Sequence, residues 1–138
     1  MAALFPMFLK LEGRKCVVGG AGRIAAQKIK NLMDCATEVN VIAPVACREI
    51  QELARNRSLT WTQTEFKAAH LAGSFMVIAA TSNPAVNEQV YRAALKRGVL
   101  CNSVDEPERC DFYYPALLRR SDLQIAISTT GKSPGTEP

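Results

Sequence analysis

The sequence contains a single histidine, His70, and its five cysteines, Cys16, Cys35, Cys47, Cys101 and Cys110, form neither a CxxC pair nor a Cys/His spacing. That pattern gives no support to a zinc site, and the odd count argues against a disulfide frame. No stretch approaches the roughly 20 apolar residues of a membrane-spanning helix. Lys and Arg exceed Asp and Glu by only four charges and never gather into a run with interleaved aromatics, so a nucleic-acid partner is not expected. Low-complexity tracts and internal repeats are also missing. The apolar start Ala2 to Leu9 is broken by Pro6, has no basic residue before it and lacks a clear cleavage site, so it reads as a lead-in segment rather than a signal peptide. Together these absences lead to the expectation of a cytoplasmic protein with no membrane partner.

What is present suits one ordinary domain: 138 residues, 48% hydrophobic and 22% charged, can bury a core without metals or cross-links. Lys15 to Gly19 is a short apolar run that breaks into glycines, as a buried parallel strand does on entering a turn. From Arg23, the residues Ala25, Ile29, Leu32, Met33 and Ala36 recur at helical spacing. Glu38 to Ile42 reads as a second strand, Cys47 to Arg55 as a helix, Leu59 to Gln63 as a strand and Phe66 to Leu71 as a short helix. Phe75 to Ala80 is a continuous apolar run. It is followed by Asn83, suited to cap a helix, and by Pro84, which fits the first turn. Val86, Val90, Ala93 and Ala94 mark the buried face of that helix, and Gly98 supplies its left-handed stop. Val99 to Val104 and Leu123 to Ser128 are further strands.

Strands alternating with helices in this order imply an α/β, Rossmann-type, mostly parallel sheet with helices on both faces. After Asp105 the rhythm changes. Phe112 to Leu118 and the Leu123 strand have little helix between them, which predicts a short strand-rich, antiparallel or domain-exchanging addition at the C-terminal end. The expected division is residues 1–110 as the dinucleotide-binding domain and 111–138 as the start of a dimerisation and substrate region. Thr129 to Pro138 offers nothing apolar to bury and is expected to be mobile.

The chemistry concentrates in Gly20-Ala21-Gly22-Arg23-Ile24-Ala25, a GxGxxG/A spacing between a strand and a helix. Gly20 allows the tight turn, Gly22 lets a pyrophosphate approach the backbone, and Ala25 keeps the helix close to the sheet. Amides at the helix start then receive the phosphates. The carboxylate usual about 20 residues on is replaced by Ala43-Pro44-Val45, so the motif leaves NAD and NADP open, with Arg48 the nearest guanidinium. Thr81, Asn83 and Asn102 lie at the carboxyl ends of strands, where open α/β sheets bind ligands. Asn83 is expected to serve as a cap, whereas Thr81 and Asn102 are equally turn residues or contacts to the nicotinamide end. Asp105 puts a carboxylate at the same edge and is the preferred catalytic group, able to take a proton as hydride leaves a substrate. A solvated turn aspartate is the plainer alternative. His70 is expected to be structural.

Several segments in order, Phe5 to Leu11, Gly13 to Gly20, Ala79 to Thr81, Cys101 to Asp105, Phe112 to Ala116 and Ile125 to Ser128, resemble the precorrin-2 dehydrogenase family, the siroheme synthase N-terminal domain. The resemblance covers nearly the whole chain. It implies NAD as cofactor, oxidation of the tetrapyrrole precorrin-2 to sirohydrochlorin, and, in bifunctional members, insertion of ferrous iron. It implies Asp105 as acid/base residue, and Arg23, Ile24, Ala43, Pro44 and Val45 beside Gly20 and Gly22 as cofactor contacts. Arg119, Arg120 and Ser128 fall to the substrate, whose many carboxylates suit arginine. The family continues past Gly131-Lys132-Ser133-Pro134 into a helical region that helps homodimerisation and closes the tetrapyrrole site. A non-catalytic module that holds NAD or a tetrapyrrole is the rival expectation.

Overall fold

The computed structural model describes residues 2–129, so most of the tail from Thr129 to Pro138 lies outside the described residues. The described chain forms two compact units, one of residues 10–111 and one built from residues 2–9 and 112–129.

In the larger unit, β1 (Lys15–Gly19), β2 (Glu38–Ile42), β3 (Thr60–Thr62), β4 (Met76–Ala79) and β5 (Leu100–Ser103) make a sheet in the order β3-β2-β1-β4-β5. All four pairings are parallel. Three α-helices connect them: α1 (Arg23–Asp34), α2 (Arg48–Arg55) and α3 (Pro84–Arg97). The chain therefore winds outward from β1 in both directions, and the order reverses between β1 and β4, where doubly wound sheets hold ligands.

The strands read as apolar runs because both faces are covered. Val17, Ile42, Val77, Ala79 and Cys101 face a cluster completed by Val90, Ala93 and Ala94 of α3 and by Phe66 and Leu71. The alternate positions Cys16, Val18, Val41 and Ile78 are equally buried on the opposite face, with Ala25 and Ile29 of α1 and Ile50 of α2 also in the core. Burial pushes the Cys16 and Cys101 thiols up to about 12, so both stay protonated and inert. All five cysteines are free thiols.

Element ends depart slightly from expectation. The Phe66 segment is a single 3-10 turn, Ala68–Leu71, and the Leu59 strand narrows to Thr60–Thr62. Ala36, expected on the buried face of the first helix, lies past its end at φ 55 and is exposed. His70 closes the 3-10 turn, its Nδ1 accepting the Lys67 N–H at 2.9 Å. Asn83 caps α3 through its side chain, with Pro84 at the helix start and Gly98 left-handed at φ 67.

The smaller unit carries an antiparallel hairpin, β6 (Ala116–Arg120) and β7 (Leu123–Ile127), joined by the two-residue turn Ser121-Asp122. The first of these strands begins later than the Phe112 run suggested, because Pro115 has no N–H to give a ladder. The register pairs Ala116 with Ile127, Leu118 with Ile125 and Arg120 with Leu123. That alternation gathers Leu118, Leu123, Ile125 and Ile127 on one face, and all four are exposed.

Candidate functional site

Because β1, β2, β4 and β5 run the same way, their carboxyl ends share one edge. The chain leaves β1 through Gly20, whose amide donates to Ile42 O while Ala80 N donates to Gly19 O. The turn is thus pinned between the ends of both neighbouring strands. Gly20 has φ 119, and a Cβ there would stand 2.6 Å from the carbonyl carbon of Ala80. No other residue type fits without moving the β4 end.

Two residues on, Gly22 is the N-cap of α1 in an extended conformation, and a Cβ there would meet nothing within 4 Å. The demand for glycine at this position is therefore not made by the protein itself. No side chain caps α1, and its first turn carries no acid. The helix geometry leaves the amides of Gly22, Arg23 and Ile24 without intrahelical acceptors, and these three residues are exposed. The first intrahelical bond, Ala26 N to Gly22 O, follows directly, and fully buried Ala25 holds the helix close to the sheet. Open space, positive dipole and outward amides fit a diphosphate.

The loop after β2 is held by side chains that sequence patterning does not reveal. Trp61 Nε1 donates to Ala43 O at 2.9 Å, Gln63 Nε2 to Pro44 O at 3.3 Å, and Gln51 Nε2 to Ala46 O at 2.8 Å. Cys47 N donates to Ala21 O, tying the start of α2 to the glycine loop. Pro44 and Val45 remain exposed beside that loop, whereas Ala43 is buried and offers little side chain to a ligand.

Beyond β4, a polar cluster that the residue pattern did not single out takes shape around Asn87. Its Oδ1 lies 3.0 Å from Thr81 N and 2.8 Å from Thr81 Oγ1, and its Nδ2 donates to Thr81 O and to Asp105 Oδ2 at 3.0 and 3.1 Å. Ser103 Oγ donates to Asp105 Oδ1 at 2.7 Å. Thr81 Oγ1 also accepts from Asn83 N. The signal for Asn87 was an asparagine in register with Val90 and Ala94 on the inward side of α3.

Asp105 itself is exposed, two residues past β5. Its loop is fastened at both ends. Val104 N donates to Ala79 O; Asp111 N donates to Cys101 O while its carboxylate accepts Cys101 N; and Ser103 N approaches Cys110 Sγ at 3.2 Å. Partial desolvation raises the Asp105 pKa, but hydrogen bonds from Ser103, Asn87 and its own backbone, with the charge of Arg109, outweigh it and hold the carboxyl below its usual range. At neutral pH it is a carboxylate, able to accept a proton and unable to supply one.

The edge therefore brings together Gly20, Gly22, Arg23, Ile24, Ala43, Pro44, Val45, Thr81 and Asp105. Asn102 is buried inside β5, one residue short of its end. Arg119 and Arg120 end β6 and Ser128 follows β7, in the smaller unit. Among the described residues no group of three or more His, Cys, Asp or Glu side chains could hold a metal ion, and no helix is long and apolar enough to cross a membrane.

Comparison with known proteins agrees with this geometry. Residues 7–116 match a family model described as "Putative NAD(P)-binding". Siroheme synthase of Photorhabdus laumondii is 40% identical over 129 residues, 94% of this chain and 27% of that protein. The siroheme synthases of Photobacterium profundum and Nitrosococcus oceani are each 40% identical over the same share of this chain and 28% of their own length. The chain thus spans little more than a quarter of these relatives. A solved structure of SirC, a precorrin-2 dehydrogenase, aligns with a TM-score of 0.83 at 30% identity, covering 95% of this chain and 64% of that one. The family shown by the model, with likeness to siroheme synthases running through almost the whole chain, is the one to which this protein belongs: the NAD(P)-binding domains of the siroheme synthase N-terminal type.

Proposed function

We propose that this chain carries out the NAD-dependent dehydrogenation of precorrin-2 to sirohydrochlorin, a step towards siroheme. The observation that carries this reading is the Asp105 carboxyl, held by two hydrogen-bond donors, on the same sheet edge as the Gly20–Gly22 loop. Removing two protons and two electrons from a reduced macrocycle, as one hydride and one proton, needs a hydride acceptor and a proton acceptor. A nicotinamide cofactor, its diphosphate held at the glycine loop, would supply the first. Asp105 supplies the second, taking the proton and passing it to water. The amides of Gly22, Arg23 and Ile24 would hold the diphosphate, Pro44 and Val45 would pack on the adenosine half, and Thr81 would lie at the nicotinamide end, whereas Asn102 is buried inside β5. Arg119, Arg120 and Ser128 are assigned to the substrate, the arginines to its carboxylates.

The choice of NAD over NADP is supported by the absence of a guanidinium directly after β2. Arg48, the nearest, sits on α2 with Glu52 at 3.6 Å. The exposed apolar face of the β6–β7 hairpin supports a homodimer, with residues 1–110 as the cofactor domain and 111–138 as the start of the dimerisation and substrate region. Five free thiols suit a reducing cytoplasm.

The test is direct. Purified protein mixed with precorrin-2 and NAD should yield the sirohydrochlorin spectrum and NADH, with NADP much poorer. Asp105→Ala should lower turnover by about 10² to 10⁴ while NAD affinity, measured by calorimetry, changes little. Tight NAD binding without any turnover, even at stoichiometric enzyme, would instead indicate a non-catalytic binding module.

A further inference from the structure

An aspartate exposed in a loop two residues past a strand end samples several rotamers unless something selects one. Here two buried side chains reach it. Asn87 is 1% exposed and Ser103 4% exposed, and both approach from the α3 side of the sheet. A buried amide is costly unless its donors and acceptors are satisfied. The Asn87 amide satisfies them with two acceptor contacts from Thr81, one donation to the Thr81 carbonyl and one to Asp105. Its network is complete only with the Asp105 carboxylate in place, and Ser103 Oγ occupies the other oxygen. One carboxylate oxygen is thus bound to the helix and the other to the strand.

We propose that Asn87 and Ser103 are positioning residues that fix the Asp105 carboxylate at the crevice edge, with Asn87 coupling it to the Thr81 turn. The role given to Asp105 rests on the proposed dehydrogenation; the fixing of its carboxylate does not. Both groups donate, so both favour the charged form. The other charged and titratable groups around it are Arg109 and Glu106 on its own loop, and Cys110. Arg109 is shared with α3, lying 3.6 Å from Glu88 and 5.6 Å from the Tyr91 ring. Loss of a donor from Asn87 or Ser103 therefore moves the Asp105 pKa upward, towards an ordinary carboxyl, and moves the acid limb of the rate profile to higher pH.

The experiment follows the Asp105 carboxyl by ¹³C NMR through an acid titration of the full chain, in wild type, Ser103→Ala, Asn87→Ser and Asn83→Ala. Ser103→Ala and Asn87→Ser should each raise the midpoint by about half a pH unit to one unit, and Asn83→Ala, which removes only the cap of α3, should not. Where turnover is present, both variants should lose about tenfold in kcat with less than about a threefold change in the KM for NAD, and their pH profiles should shift in the same direction. An unchanged midpoint in folded Ser103→Ala, or an equal shift in Asn83→Ala, overturns the proposal. Should Asn87→Ser fail to fold, Ser103→Ala decides, since it removes one hydroxyl only. A chain with no turnover at all overturns the dehydrogenase reading, whereas the titration midpoints still report whether the carboxylate is fixed.

Discussion

Two glycines separated by one residue do opposite work. Gly20 is required by the protein: its φ of 119 and the nearby Ala80 carbonyl leave no room for a side chain. Gly22 is extended and faces open space, so what it leaves room for is a ligand. Gly20→Ala should destabilise the fold by about 1 to 3 kcal/mol, visible as a lowered Tm. Gly22→Val should melt near the wild-type temperature but weaken NAD binding by about tenfold or more, because the added methyls occupy the path to the Arg23 and Ile24 amides. Equal losses of stability in the two variants would remove the distinction. The fingerprint spacing marks both residues, but only coordinates separate the one that builds the turn from the one that admits the phosphate.

At the level of elements, α3 has a job at each end and one in the middle. Asn83 accepts the Ala85 amide at its start, Gly98 closes it in the left-handed region, and Asn87 points into the sheet edge between them. The start and stop were readable in advance, since Asn-Pro and Gly act through local backbone geometry. Asn83→Ala should cost about 1 kcal/mol in urea or thermal denaturation without moving the pH profile of turnover. That profile is the property through which Asn87 differs from a cap. The hydrophobic spacing located the buried stripe of α3 correctly at Val90, Ala93 and Ala94, yet it said nothing of the asparagine lying in the same stripe. Periodicity scores apolar residues and passes over a polar one whose partner is elsewhere.

For the whole molecule, the sheet and the hairpin obey different rules of burial. Every strand at the centre of the sheet is covered on both sides, while β6 and β7 leave Leu118, Leu123, Ile125 and Ile127 exposed on one face. A face that exposes four large apolar side chains, with Arg120 at its end, is stable in water when another surface covers it. If that surface belongs to a second copy, Leu118→Asp with Ile125→Asp should convert a dimer to a monomer in sedimentation velocity while NAD still binds the glycine loop. A wild-type chain that sediments as a monomer at high concentration would overturn the homodimer.

The alternation of strands and helices, the glycine turn, the α3 cap and the break in rhythm after Asp105 were written in the amino-acid order, because each depends on residues within a few positions of one another. The choice of partners for Asp105 was not. Asn87 lies 18 positions before it and Ser103 two, and only the parallel pairing of β4 with β5 sets the two beside the same carboxylate. The same holds for Trp61, which reaches back 18 positions to hold the Ala43 carbonyl. Local geometry is fixed by covalent neighbours; a hydrogen bond across strands exists only once the sheet has set its register.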